Sequence, residues 1–160
     1  MHDEWYTPPL WIKRARIAMG TIDLDPASCA FAQEWVRASM WFDKATDGLR
    51  QSWTGHIWLN PPYSRGTIGR FVEKLIVELD DIEQAIVLTD NRTDTEWAHD
   101  LFYAADAVAF TRGRIHFHNA DGIAVSSALN GSAFFYIGNR PDAFTGAFSP
   151  VCSVFEPRHR

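Results

Sequence analysis

Apolar residues recur along the chain with two periods, and the periods mark the elements. Ile68, Phe71, Val72, Leu75, Ile76 and Leu79 follow an i, i+3, i+4, i+7, i+8, i+11 series, while Arg70, Glu73, Lys74 and Glu78 take the other side. This spacing predicts an amphipathic helix with its apolar stripe on a sheet. Trp11, Ile12, Ala15 and Met19 show helical spacing earlier, after Thr7 as N-cap and Pro8 as first helical residue, and Gly20 closes that helix. A short strand is predicted at residues 21–25, ending at Asp25-Pro26, where Pro26 starts a further helix carrying Ala30, Trp35 and Val36. Residues 56–60 make an apolar strand stopped by Pro61-Pro62, and residues 85–88 a buried strand without alternation. Thr93 and Glu96 have capping-box spacing before a helix bearing Trp97, Leu101 and Phe102, and residues 107–110 form the next strand.

Short apolar strands alternating with helices predict an α/β sandwich about a mostly parallel sheet. The last third differs. Residues 114–117, 133–137 and 151–155 are strand-like with no helical period between them, so the sheet is expected to end in an antiparallel hairpin. In open α/β sheets ligands bind beyond the carboxyl ends of the strands. Asp25, Asn60 and Asp90 all fall at predicted strand ends, which puts three polar side chains on one rim. Residues 111–131 are rich in polar and turn residues, among them Asn119, Asp121, Gly122, Ser126, Asn130 and Gly131, and are expected to form a long functional loop.

Composition narrows the class. At 160 residues, 46% hydrophobic and 22% charged, the chain suits one globular domain over residues 1–160, and general disorder is excluded. No stretch reaches the ~18 to 20 apolar residues that cross a bilayer, and the start lacks a basic and apolar leader, so a soluble intracellular protein without a membrane partner is expected. Cys29 and Cys152 are far apart and form no Cys-x-x-Cys unit, so no metal site is expected. The net charge of −5 means that any nucleic acid must be held by a local basic face. Aromatic residues, at 14%, exceed what the core obviously requires, which suggests that some rings stack on a flat ligand.

The most informative tetrapeptide is Asn60-Pro61-Pro62-Tyr63, between an apolar strand and the amphipathic helix. Two consecutive prolines stiffen the backbone and remove two N–H groups, leaving an acceptor-rich corner beside an aromatic ring. Such a corner suits a planar amine: the Asn60 side-chain oxygen and the Pro61 carbonyl accept its two hydrogens while Tyr63 stacks on its ring.

In this context the motif resembles that of amino methyltransferases that use S-adenosylmethionine, and the chain as a whole resembles the phage-type DNA N6-adenine methyltransferase family. The resemblance runs in order through Glu4-Trp5-Tyr6-Thr7-Pro8, Asp23-Leu24-Asp25-Pro26-Ala27-Ser28, Asp47-Gly48-Leu49 with Trp53, Trp58-Leu59-Asn60-Pro61-Pro62-Tyr63, Arg92-Thr93-Asp94-Thr95 with Trp97, His99 and Asp100, and Gly113-Arg114-Ile115 with Phe117. It implies a Rossmann-like class I methyltransferase sandwich and transfer of a methyl group from S-adenosylmethionine to a flipped-out adenine of double-stranded DNA. Catalytic roles fall on Asn60, Pro61, Pro62 and Tyr63. Cofactor contacts fall on Trp5, Tyr6, Thr7, Pro8, Asp25, Pro26, Asp47 and Asn60. Cytosine N4, RNA or a protein glutamine are alternative acceptors, and a non-catalytic DNA-binding module is an alternative of another class, because Ala27, Ser28 and Cys29 stand where methyltransferases often have Gly-x-Gly. Thr7, Asp25 and Asp47 also have plain readings as caps or turn residues.

For DNA, Arg112, Arg114, His116 and His118 alternate with Ile115 and Phe117, as on one face of a strand, and form the candidate basic stripe; Arg65 and Arg92 are further candidates, and Arg70, Lys74 and the Lys13-Arg14-Arg16 cluster are more ambiguous. Residues 111–131 are the candidate target-recognition loop. A domain this small predicts a short target read by a monomer or homodimer, in the cytoplasm of a bacterial host.

Overall fold

The computed structural model describes residues 6–119, 123–124 and 130–158. In chain order the regular elements are α1 (Pro9–Met19), β1 (Leu24–Asp25), α2 (Gln33–Val36), β2 (Met40–Trp41), β3 (Gly55–Leu59), α3 (Thr67–Val77), β4 (Ile82–Asp90), α4 (Glu96–Ala104), β5 (Ala107–Thr111), β6 (Ser132–Gly138), α5 (Pro141–Phe148) and β7 (Cys152–Phe155). The strands form one sheet in the order β2-β1-β3-β4-β6-β5-β7. Its first three pairings are parallel and its last three antiparallel. Among the described residues no helix is long and apolar enough to cross a membrane.

Side chains alternate across the sheet and separate two cores. Trp58, Ile86, Leu88, Phe134 and Tyr136 face α1, α2 and α5 on one side. Ile57, Leu59, Ala85, Val87 and Phe135 face α3 and α4 on the other. The result is a mixed α/β sandwich. Much of the aromatic excess serves these cores, since Trp53, Trp58, Phe117, Phe134, Tyr136, Phe144 and Phe148 are fully buried.

Helix α3 follows its predicted stripe, burying Ile68, Phe71, Val72 and Leu75. Other boundaries differ from the sequence reading for identifiable reasons. Helix α1 begins one residue late: Pro8 is its cap, Pro9 takes the first turn, and Thr7 makes no cap bond because its buried hydroxyl accepts from the Asn60 amide instead. The predicted strand at residues 21–25 shortens to β1, with Thr21 and Asp23 turned toward His56. The helix expected from Pro26 is only the turn α2. At α4 the cap position belongs to Thr95, whose hydroxyl donates to the Arg92 carbonyl, so the Thr93 capping box does not form.

The C-terminal third departs most. Residues 114–117 are not a strand; they keep the exposed and buried alternation, with Ile115 and Phe117 buried. Helix α5, unforeseen, separates β6 from β7. The antiparallel strands are present but not as a terminal hairpin: β6 inserts between β4 and β5, and β7 lines the outer edge of β5. Residues Ser132 to Tyr136 are buried on both faces, and a strand with no solvated face belongs inside a sheet.

Candidate active site

Because β1, β3 and β4 are parallel, their carboxyl ends meet on one rim, and Asp25, Asn60 and Asp90 stand there as expected. The chain passes from β1 to β2 on one side and from β3 to β4 on the other, so it leaves the adjacent strands β1 and β3 in opposite directions and a crevice opens between them. A cavity of about 400 Å³ occupies this place, a size ordinary for a small-molecule site. Its lining includes Tyr6, Thr7, Asp25, Asp47 and all of Asn60-Pro61-Pro62-Tyr63.

The Pro-Pro corner sets Asn60 and Tyr63 side by side. The Tyr63 hydroxyl donates to Asn60 Oδ1 at 2.9 Å and lies 3.4 Å from the Leu88 carbonyl oxygen. Asn60 Nδ2 donates to Thr7 Oγ1 at 3.2 Å, which ties the N-terminal segment to the corner. Burial and the neighbouring Asp90 charge raise the Tyr63 pKa, so the phenol remains a donor. Arg92 donates to the Tyr63 backbone carbonyl at 3.1 Å, pairs with Asp90 at 2.8 Å and lies over the Trp97 ring. Tyr6 is fixed by a two-way backbone bridge to His118 and by an edge-on contact with Phe31.

Asp25 is buried; its Oδ2 accepts from Gln33 Nε2 at 2.9 Å, while Oδ1 has no partner within hydrogen-bond geometry among the described residues. Burial pushes its carboxyl up to about 7, and the opposing pull of Ser28, Ala27 and Gln33 does not offset it. A buried carboxylate oxygen without a partner is costly and can accept from a donor or pair with a cation. Asp47 marks the next wall. It has positive φ, and its side chain accepts from the Leu49 amide.

Gly48, beside it, was absent from the candidate residues. A Cβ there would meet the Pro26 carbonyl oxygen at 2.0 Å, so the two walls approach as closely as backbone allows. Trp53 donates its indole N–H to the Gly48 carbonyl at 2.8 Å and fixes that approach. The Asp47-Gly48 pair was the sequence signal for it.

A sequence model of the family described as DNA N-6-adenine-methyltransferase (Dam) matches residues 1–149. The chain belongs to this family. It is also similar to a DNA N-6-adenine-methyltransferase of Escherichia phage T1, 32% identical over 99 residues that make up 61% of this chain. The match spans 40% of the phage protein's length. No solved structure matches the chain.

In this Dam-family chain the candidate DNA residues fall into two groups. Arg65, Arg112, Arg114 and His116 are exposed. His118 is half-buried, edge-on to Trp35 and bridged to Tyr6, and Arg92 is engaged by Asp90, Tyr63 and Trp97, so these two brace the corner and the N-terminal segment. Arg14 and Arg16 donate to the Ala147 and Val36 carbonyls. Lys74 pairs with Glu78 over the Trp53 ring. Trp5 lies outside the described residues, as do Asp121, Gly122 and Ser126 of the candidate recognition loop. The described roots of that loop are well connected: the Asn91 backbone N–H donates to the Gly131 carbonyl, and the Asn130 side chain donates to Asp90.

Proposed function

We propose that this chain is an S-adenosylmethionine-dependent enzyme with a Rossmann-like methyltransferase fold, acting on adenine N6 in double-stranded DNA of a bacterial host's cytoplasm. One observation carries the reading: the buried Asp25 carboxylate and the Asn60–Tyr63 acceptor corner line the same cavity. The Asp25 carboxylate suits the ammonium or a ribose hydroxyl of the cofactor, Asp47 suits its adenine amine, and Gly48 lets the two walls that carry them pack backbone to backbone. When bound, the cofactor supplies an electrophilic methyl group on a sulfonium.

The chain's own residues then handle the nucleophile. The N6 lone pair of adenine is delocalised into the ring. Asn60 Oδ1 and the Pro61 carbonyl accept the two amino hydrogens, which localises the lone pair and absorbs positive charge as it develops. To reach Asn60 Oδ1, an amine hydrogen shares or displaces the Tyr63 hydroxyl, and the freed ring becomes a wall for the flipped base. No side-chain base is required, because the proton leaves to water after transfer. Asn60 is an acceptor and positioner. Arg112, Arg114 and Arg65 supply the local positive face that a chain of net charge −5 needs.

Incubation with methyl-labelled S-adenosylmethionine and plasmid DNA, followed by nucleoside analysis, tests the reading. Label in N6-methyladenine is the expected result. Label confined to N4-methylcytosine, RNA or protein would assign another acceptor, and no cofactor binding would leave a non-catalytic DNA-binding module.

A further inference from the structure

The loop after β1 lacks the glycines that commonly let a backbone close on a cofactor, yet its key carboxylate is oriented with care. Gln33, at the start of α2, does this with its whole amide. Its Oε1 accepts from the Ala38 backbone N–H at 2.9 Å. A backbone N–H is only ever a donor, so this bond fixes which end of the amide is oxygen. Nε2 is therefore forced toward β1, where it donates to Asp25 Oδ2 at 2.9 Å and to Ser28 Oγ at 2.8 Å. One side chain thus donates to one Asp25 oxygen, pins Ser28 in the cavity wall and closes the loop from residue 25 to residue 38. The other Asp25 oxygen is left buried and without a partner among the described residues, and Asp25 is one of the residues that line the cavity.

We infer that Gln33 is a positioning residue for cofactor binding, which holds the Asp25 carboxylate by one oxygen so that the other meets the polar or cationic end of S-adenosylmethionine. This rests on the cofactor reading above and deepens it. The assignment makes Gln33 the functional replacement for a glycine-rich loop: affinity comes from an oriented carboxylate as well as from backbone approach. It also links binding to protons. A donor or cation placed on Oδ1 favours the ionised carboxylate, so ligand binding expels a proton while Asp25 is still protonated. Removing the Gln33 donor disfavours the ionised form further.

The test is calorimetric titration with S-adenosylhomocysteine from pH 5.5 to 8, in buffers of different ionisation enthalpy, on the wild type, Gln33→Leu and Gln33→Glu. Wild-type affinity is expected to rise with pH and level off above about 7, with proton release on the acid side. In Gln33→Leu affinity at pH 7 falls about tenfold and the rise moves to higher pH. Gln33→Glu keeps the acceptor for Ala38 but adds a second carboxyl beside Asp25, and its rise moves further still. Affinity lowered equally at every pH, or profiles that match the wild type, would overturn the inference, because a purely structural Gln33 moves no proton. If the wild type binds no S-adenosylhomocysteine at any pH, the cofactor reading itself fails, and the two failures are thereby told apart.

Discussion

The Tyr63 hydroxyl donates to Asn60 Oδ1 at 2.9 Å, so the phenol occupies the very acceptor that the proposed chemistry assigns to the target amine. The relationship separates the two parts of Tyr63. In the proposed chemistry its ring is the stacking surface, and its hydroxyl holds the place that the base would share or take over. Tyr63→Phe is therefore expected to keep kcat within about tenfold of the wild type and to lower KM for DNA, since a competing hydrogen bond of ~1 kcal/mol is gone. Tyr63→Ala loses the wall as well, and its kcat falls by about 10² or more. Steady-state methyl transfer with both variants checks the split; equal losses in Phe and Ala variants would assign the function of Tyr63 to its hydroxyl.

Asp25 makes the stability of the ligand-free protein depend on pH in an uncommon direction for a carboxylate. Its pKa is raised on folding from 3.8 to about 7, so the folded state binds the extra proton between those values. Stability is then greatest below about pH 4 as far as this group is concerned, and its contribution is lost as pH rises toward 7, by up to about 4 kcal/mol. Asp25→Asn removes that slope, stabilises the free protein at pH 8 and weakens cofactor binding. Urea denaturation of both proteins at pH 5 and pH 8 measures the difference.

Gly48→Ala probes the contact between the two cavity walls. With the Pro26 carbonyl oxygen 2.0 Å from the new methyl position, the walls must separate. Destabilisation by about 1 to 3 kcal/mol is expected, together with a raised KM for cofactor and a nearly unchanged kcat. Thermal melting and cofactor titration of the variant supply the check.

The exposed basic positions give a prediction about salt. Replacing Arg112 and Arg114 by Ala removes two positive charges from one exposed segment. If each meets a phosphate, the slope of log K against log salt falls in magnitude by about 1.8. Fluorescence anisotropy with duplex DNA over a salt series reads both the affinity and the slope.

The parts of this molecule that were legible in its sequence are those decided locally. Helix α3 shows one stripe because it meets one surface, and Asn60-Pro61-Pro62-Tyr63 is informative because two prolines constrain the backbone whatever the fold around them. The rim of Asp25, Asn60 and Asp90 followed from the ends of apolar runs. What escaped depended on distant partners. Residues 133–137 read as a strand, but only pairing with both β4 and β5 places it inside the sheet. Helix α5 has just Phe144, Ala147 and Phe148 to mark it, too short a series to stand out from neighbouring strands. Thr7 looked like a cap because its contact with Asn60 crosses 53 positions. Gln33 is an unremarked glutamine until the loop folds back and sets Ala38 and Asp25 at its two ends.

In the proposed reaction Asn60 accepts a hydrogen from the adenine amine during methyl transfer, and single-turnover transfer of labelled methyl to DNA adenine isolates that step. With cofactor saturating, the wild type is expected to form N6-methyladenine, and Asn60→Ala to do so about 10² to 10³ times more slowly with cofactor affinity little changed. Transfer by Asn60→Ala at the wild-type rate would show that Asn60 plays no such part.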